Sequence, residues 1–179
     1  MGYFLIKSDP EYTDAPRLVG LNEKLDPTHF YTNQSHLIPM RTLVRISEYE
    51  NTVFTDYLYQ SIPLFSQRAM KSVLMFDDDF IRKEVILADF KNSQDEMYYL
   101  PFFPRFSSEV VLEPSSPYAL ERYVVTAALK LKLPYLLPVF FVFWQGRCLT
   151  VMRLDIVESM LRNGCKGFML KEAEVIVEG

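Results

Sequence analysis

The chain has 179 residues, 49% hydrophobic and 23% charged, an ordinary globular composition with length enough for one domain and a sizeable core. Its net charge is −4 and no cluster of Lys or Arg occurs along it, so the electrostatic footprint of a DNA- or RNA-binding protein is missing. Aromatic residues reach 15%, including 11 Tyr and 14 Phe, so rings rather than aliphatic packing build much of the core or of an interface.

The opening MGYFLIKSDPEY turns polar by Ser8 and lacks a basic segment followed by a sustained apolar one, unlike a secretory signal. Ile6, where a Ser or Thr would be wanted, also argues against N-myristoylation. Tyr3 to Lys7 predicts a first strand, ended by the turn signal Ser8-Asp9-Pro10. From Glu11 to Met40 there is little periodicity, and Pro10, Pro16, Pro27 and Pro39 with scattered Asp and Asn read as a loop-rich region with short strands at most. Thr42 to Ile46 is a second strand. Tyr49 to Ser61 fits a short helix or a strand equally well.

Ser66 is placed as the N-cap of a helix whose apolar stripe is Ala69, Met70, Val73 and Leu74, with Gln67, Arg68, Lys71 and Ser72 outside it. Asp77-Asp78-Asp79 ends that helix. Arg82 to Phe90 and Glu96 to Phe103 are two strands joined by a polar turn, and they are expected to pair as a hairpin or to lie as near neighbours. Pro101 and Pro104 confine the second to an edge or end it. Arg105 to Pro117 reads as loop with a short extension at Val110 to Leu112. Tyr118 to Leu131 fits a helix or a strand, with the β-formers Tyr123 to Thr126 favouring strand. Pro138 to Trp144 is a buried strand, turned by Gln145-Gly146-Arg147 into its hairpin partner Cys148 to Met152.

The stretch Leu149 to Val177 is the clearest in the chain. Asp155 suits an N-cap with Glu158 in the capping-box position, and the helix is expected to begin near Ile156. Ile156, Val157, Met160 and Leu161 form its buried stripe, and Gly164 is its C-terminal stop. Phe168 to Leu170 and the β-branched Val175 to Val177 read as strand. Ser66 to Phe90 and Leu154 to Val177 thus share the order helix, turn, strand, and Ser72-Val73-Leu74 echoes Ser159-Met160-Leu161. Helix-then-strand is common enough that chance accounts for the echo.

Candidate chemistry is sparse. Asp77, Asp78 and Asp79 offer oxygen ligands for a hard cation, but three successive acids do not converge on one ion without an irregular turn, so a solvated helix end is the simpler reading. His29 and His36 are the two histidines and have no motif such as HExxH to fix their geometry. Cys148 and Cys165 have no CxxC spacing and read as buried free thiols. Ser115-Ser116 lacks a nucleophile elbow, and the six glycines form no phosphate-cradling loop. The apolar run Leu133 to Trp144 is broken by Pro134 and Pro138 and is shorter than the roughly 20 residues of a membrane-spanning helix. Met97 to Phe106 (MYYLPFFPRF) reads as a core strand or as a partner-binding edge, since Tyr, Phe and Arg are enriched at interface centres.

Taken together, Pro63-Leu64-Phe65-Ser66 before an amphipathic helix, Tyr98-Tyr99-Leu100-Pro101, and Leu154 to Ser159 with Gly164 and Lys166-Gly167-Phe168 resemble a bacterial family classed with the immunity-like proteins of polymorphic toxin systems. The resemblance spans about Leu64 to Val177 and brings no catalytic residues. It implies a small cytoplasmic protein that binds and neutralises a cognate toxin.

The expectation is therefore a single α+β domain, a mostly antiparallel mixed sheet with a few packed helices, loop-rich over 1–62 and family-like over 63–179. It is expected to act by protein–protein binding, without cofactor, metal, nucleic acid or membrane. Tyr98, Tyr99, Phe103 and Arg105 are the expected contact residues, with Asp77, Asp78 and Asp79 if the partner is basic. Two alternatives stand beside it: a small-molecule-binding protein or enzyme using His29 or His36 with an acid, and a structural accessory that dimerises through the aromatic edge.

Overall fold

The computed structural model describes residues 2–112, 129–144 and 146–178. The fold is α+β and dominated by strands. In chain order the strands are β1 (Tyr3–Ser8), β2 (Leu18–Val19), β3 (Arg41–Ile46), β4 (Tyr57–Gln60), β5 (Ile62–Ser66), β6 (Ile81–Asp89), β7 (Gln94–Phe102), β8 (Arg105–Phe106), β9 (Leu129–Leu133), β10 (Val139–Trp144), β11 (Arg147–Arg153) and β12 (Phe168–Val177). The helices are α1 (Leu21–Lys24), α2 (Pro27–Tyr31), α3 (Gln67–Leu74) and α4 (Leu154–Arg162). Where one mixed sheet was expected there are two of six strands, ordered β8-β10-β11-β1-β12-β9 and β2-β3-β6-β7-β5-β4.

The two sheets are built alike. In the second, the hairpin β4–β5 leads through α3 to β6; β7 lies antiparallel between β5 and β6, and β3 pairs parallel with β6. In the first, the hairpin β10–β11 leads through α4 to β12; β1 lies antiparallel between β11 and β12, and β9 pairs parallel with β12. Tyr98 of β7 faces Ser66 and Val85, and Tyr3 of β1 faces Arg153 and Ala173. Each of these tyrosines donates its hydroxyl to a carbonyl two residues before a hairpin: Tyr98 to Thr55 at 2.5 Å and Tyr3 to Leu137 at 2.9 Å. The amide of Ser66 donates to Asp56 and that of Arg153 to Pro138, again at matching places. Chance is too weak an explanation for agreement at this level. The echo between the helix-and-strand segments is a repeat of one five-stranded unit, and in the second copy the inserted strand comes from the N-terminus of the chain.

The two units pack through their helices and through rings. Ser72 and Ser159, equivalent in the repeat, are both buried; Asn163 Nδ2 donates to Ser72 Oγ at 2.8 Å, and Ser159 Oγ approaches Met75 Sδ at 3.8 Å. Phe65, Phe103, Phe141 and Phe30 form a chain of edge and tilted contacts with centroids 5.0–5.7 Å apart, the arrangement that ring quadrupoles favour. Across the sheets the Tyr57 hydroxyl meets Thr150 Oγ1 at 3.0 Å, and Ser8 Oγ accepts from the Tyr59 amide at 2.9 Å.

Local expectations were met unevenly. Ser66 does cap α3, its Oγ accepting from the Ala69 amide at 3.1 Å. Asp155 does not cap α4. The helix starts at Leu154 with Arg153 as N-cap, and the Asp155 carboxylate is gripped by Arg153 through Nε and Nη2 at 2.7–3.0 Å. The same carboxylate also accepts from the Ile156 amide in the first turn at 2.9 Å, so it serves both the guanidinium and the helix start without being the N-cap. Leu161 is exposed and Ser159 buried, because the packed face turns toward α3. Residues 21–31 hold two short helices where loop was expected; Asp26 accepts from the Thr28 amide with Pro27 at the first helical position, a start signal passed over in the proline-rich segment. Tyr57–Gln60 resolves the undecided stretch as strand. β7 is an interior strand: β5 pairs with it only at Tyr98 and Tyr99, so Pro101 lies beyond the end of that pairing and interrupts no ladder bond on that side. Of Tyr118 to Leu131, residues 118–128 lie outside the described residues, and Leu129 opens β9.

Candidate functional site

The strand expected to carry the contact residues is largely turned inward. Tyr98 and Phe103 are each 1% exposed, so neither ring is available to a partner, which corrects their assignment as contact residues. Alternation sends every second side chain of β7 toward the helices, and the aromatic run served the core. Arg105 is also tied down: its Nη1 donates to the carbonyls of Phe30 and Tyr31 at 2.9 and 3.3 Å, and its guanidinium lies over the rings of Phe143, Phe30 and Phe102 at 4.7–5.9 Å. Desolvation lowers its pKa. It clamps α2 onto the sheet and is no free anchor. Tyr99 remains half-buried on the opposite face of β7. Asp78 and Asp79 are exposed and Asp77 is partly so, with Asp77 Oδ1 accepting from the Asp79 amide at 3.2 Å.

The face of β3, β6 and β7 that carries Tyr99 is partly open to solvent, most so along β3, where Arg41, Leu43 and Arg45 are exposed. Cross-strand register places Leu43, Ile86 and Met97 in one row, flanked on one side by Arg41, Glu84 and Tyr99 and on the other by Arg45, Ala88 and Asp95. Thr42, Val44 and Ile46 of β3 and Val85 and Leu87 of β6, on the reverse face, are all buried. Leu43 is 52% exposed and the adjacent Phe90 61%, the latter beneath the guanidinium of Arg45 at 5.7 Å. Arg41 and Glu84 form an ion pair at 2.5 Å. An apolar row with a rim of both charges is the composition of a protein contact surface. The signal was present in Arg41 to Ile46, where Leu43 stands at a position that alternation would make polar.

On the reverse side of β7 a cleft of about 490 Å³ opens between the units, lined by Phe54, Asp56, Arg68, Lys71, Glu96 and Lys166 among others. Asp56 is its buried hub. The carboxylate accepts from Ser66 Oγ at 2.5 Å and from the Lys166 amide at 2.8 Å, and Arg68 Nε stands 4.0 Å away. Arg68 Nη1 reaches the Gly164 carbonyl at 3.1 Å, beyond the end of α4. One carboxylate and one guanidinium thus join the start of α3 to the turn that follows α4.

The residues considered for catalysis stand apart. Cys148 and Cys165 are buried free thiols; burial raises the pKa of both, that of Cys165 to about 12. Thiolate chemistry at neutral pH is disfavoured at such sulfurs. His29 is partly buried on α2 and His36 exposed, and among the described residues neither imidazole hydrogen-bonds to a carboxylate. Among the described residues no group of three His, Cys, Asp or Glu side chains is placed to hold a metal ion. No helix among them is long and apolar enough to cross a membrane. Compared with known proteins, the chain matches no family model and no curated protein sequence.

Proposed function

We propose that this is a non-catalytic binding protein of the immunity type, which acts in the cytoplasm and neutralises a cognate bacterial toxin by covering part of its surface. The observation that carries the reading is the outer face of β3, β6 and β7: a row of exposed Leu43 and half-buried Ile86 and Met97, with Tyr99 and the exposed Phe90 beside it and Arg41, Glu84, Arg45 and Asp95 around it. Burying such a row against a partner removes apolar surface from water, and the charged rim fixes orientation and rejects wrong partners. The resemblance of the Leu64 to Val177 motifs to immunity-like proteins supports the same class of partner. The occupant is a toxin whose contact face is apolar at its centre and offers carboxylates to Arg41 and Arg45.

Co-expression with the product of the adjacent reading frame tests the reading. The wild-type chain is expected to restore growth to a host expressing that toxin and to co-purify with it. Leu43→Glu sets a charge at the centre of the face and is expected to weaken the complex by about 2 kcal/mol, about thirtyfold in Kd, while leaving the melting temperature nearly unchanged. Full binding by Leu43→Glu would remove this face from the interface.

A further inference from the structure

The repeat shows that the cations of the inter-unit cleft are not a requirement of the fold. Aligning α3 and α4 at their first residues sets Arg68 against Asp155 and Lys71 against Glu158, so the same scaffold carries acids at these positions in its second copy. In the first copy the cations face a cleft, and Lys166 joins them from the turn after α4. The lining holds three cations against two carboxylates, and one of these, Asp56, is buried and already occupied by Ser66 and the Lys166 amide. Among the described residues the ammonium groups of Lys71 and Lys166 have no hydrogen bond or ion pair. Arg68 is 57% exposed at its side chain and is held by one carbonyl and the distant Asp56 carboxylate. Like charges gathered around a cleft repel one another, and an anion seated among them relieves that repulsion while gaining charge-assisted hydrogen bonds.

We propose that this cleft is an anion-binding site for a carboxylate- or phosphate-bearing ligand, held between Lys71 and Lys166 with Arg68 beside them. A volume of about 490 Å³ fits a small molecule or two or three side chains of a peptide. The site lies on the opposite face of β7 from the proposed toxin surface, since Tyr98 lines the cleft and Tyr99 the outer face. The two proposals therefore stand or fall separately.

Isothermal titration of the whole chain at fixed ionic strength, with inorganic phosphate in one arm and a triglutamate peptide in the other, tests the proposal. The expected result is saturable one-site binding of at least one probe, weakened at least about tenfold in the Lys71→Ala/Lys166→Ala double variant; the tighter probe identifies the source of the anion. Both lysines are exposed, so the double variant is expected to keep the wild-type circular dichroism, and Lys166→Ala alone is a second variant expected to bind more weakly than wild type. No saturable binding of either probe, or equal affinity in wild type and variants, would overturn the site.

Discussion

Gly167 stands at φ +82°, and a Cβ built on it would run into the side chain of Thr55. Gly167→Ala therefore meets two costs, the left-handed backbone and an overlap with a buried neighbour in the loop before β4. The expected loss is about 2–4 kcal/mol, read as a lowered denaturation midpoint. Tyr57 and Tyr98 contribute to the alkaline limit, together with Tyr31, Cys148 and Cys165, whose pKa values burial also raises. Desolvation raises the pKa of the Tyr57 and Tyr98 phenols in the folded chain, while in the unfolded chain they ionise near pH 10. The stability held in their neutral forms is thus fully present below pH 10 and is lost as pH rises above it, because only the unfolded state gives up these protons. The two together are expected to contribute a fall of about 3 kcal/mol per pH unit in that range. Tyr57→Phe gives up the bond to Thr150 but should remove about half of that slope in melts between pH 9 and 11; an unchanged slope would point to other groups. At this scale the sequence identified residue types well and partners poorly. Nothing local to Asp155 says that the helix begins one residue before it, so that its carboxylate meets the Ile156 amide from inside the first turn while binding Arg153, which β11 delivers.

Helix α3 shows what an element adds. Ser66 both caps it and donates to the buried Asp56 carboxylate, so Ser66→Ala removes a cap and leaves a buried charge short of a donor. A loss of about 2–3 kcal/mol is expected, larger than for an ordinary cap, and measurable in urea unfolding. A loss below about 1 kcal/mol would mean that Lys166 and Arg68 satisfy Asp56 without Ser66. The cap at Ser66, the apolar stripe of α3 and the hairpins β6–β7 and β10–β11 were legible because each rests on a short-range period or turn. The inward course of Tyr98 and Phe103 was not. A strand with rings at successive positions has an apolar residue for either face, and which face is covered is decided by α3 and by the other sheet, far away in sequence.

At the scale of the whole molecule the organising fact is the repeat with its borrowed strand. β1 occupies in one sheet the place that β7 holds in the other, although it stands at the opposite end of the chain from the strands β9 to β12 of its own unit. Moving residues 1–8 to the C-terminus, joined to β12 by a short flexible linker, recreates the β6–β7 connection in the second unit. That permuted chain is expected to fold with a melting temperature within a few degrees of the original, whereas deletion of residues 1–8 should leave the first sheet without its central strand β1 and abolish cooperative melting. A permuted chain that fails to fold would show that the N-terminal connection itself is needed. Sequence alone understated this arrangement because the matching strands share pattern and partners rather than residues. At the positions compared, identity is kept by pairs such as Tyr98 and Tyr3, Leu100 and Leu5, Ser72 and Ser159, and Leu74 and Leu161, too few and too scattered to be read as a repeat from the residues alone. The same geometry leaves one face of β3, β6 and β7 partly open to solvent, and on that face the proposed function rests.

The most direct test of that function is growth rescue in a host expressing the adjacent toxin, compared between the wild-type chain and Leu43→Glu at equal soluble levels. Rescue by the wild type and its loss in the variant is the predicted result. Toxicity unaffected by the wild-type chain would contradict the account.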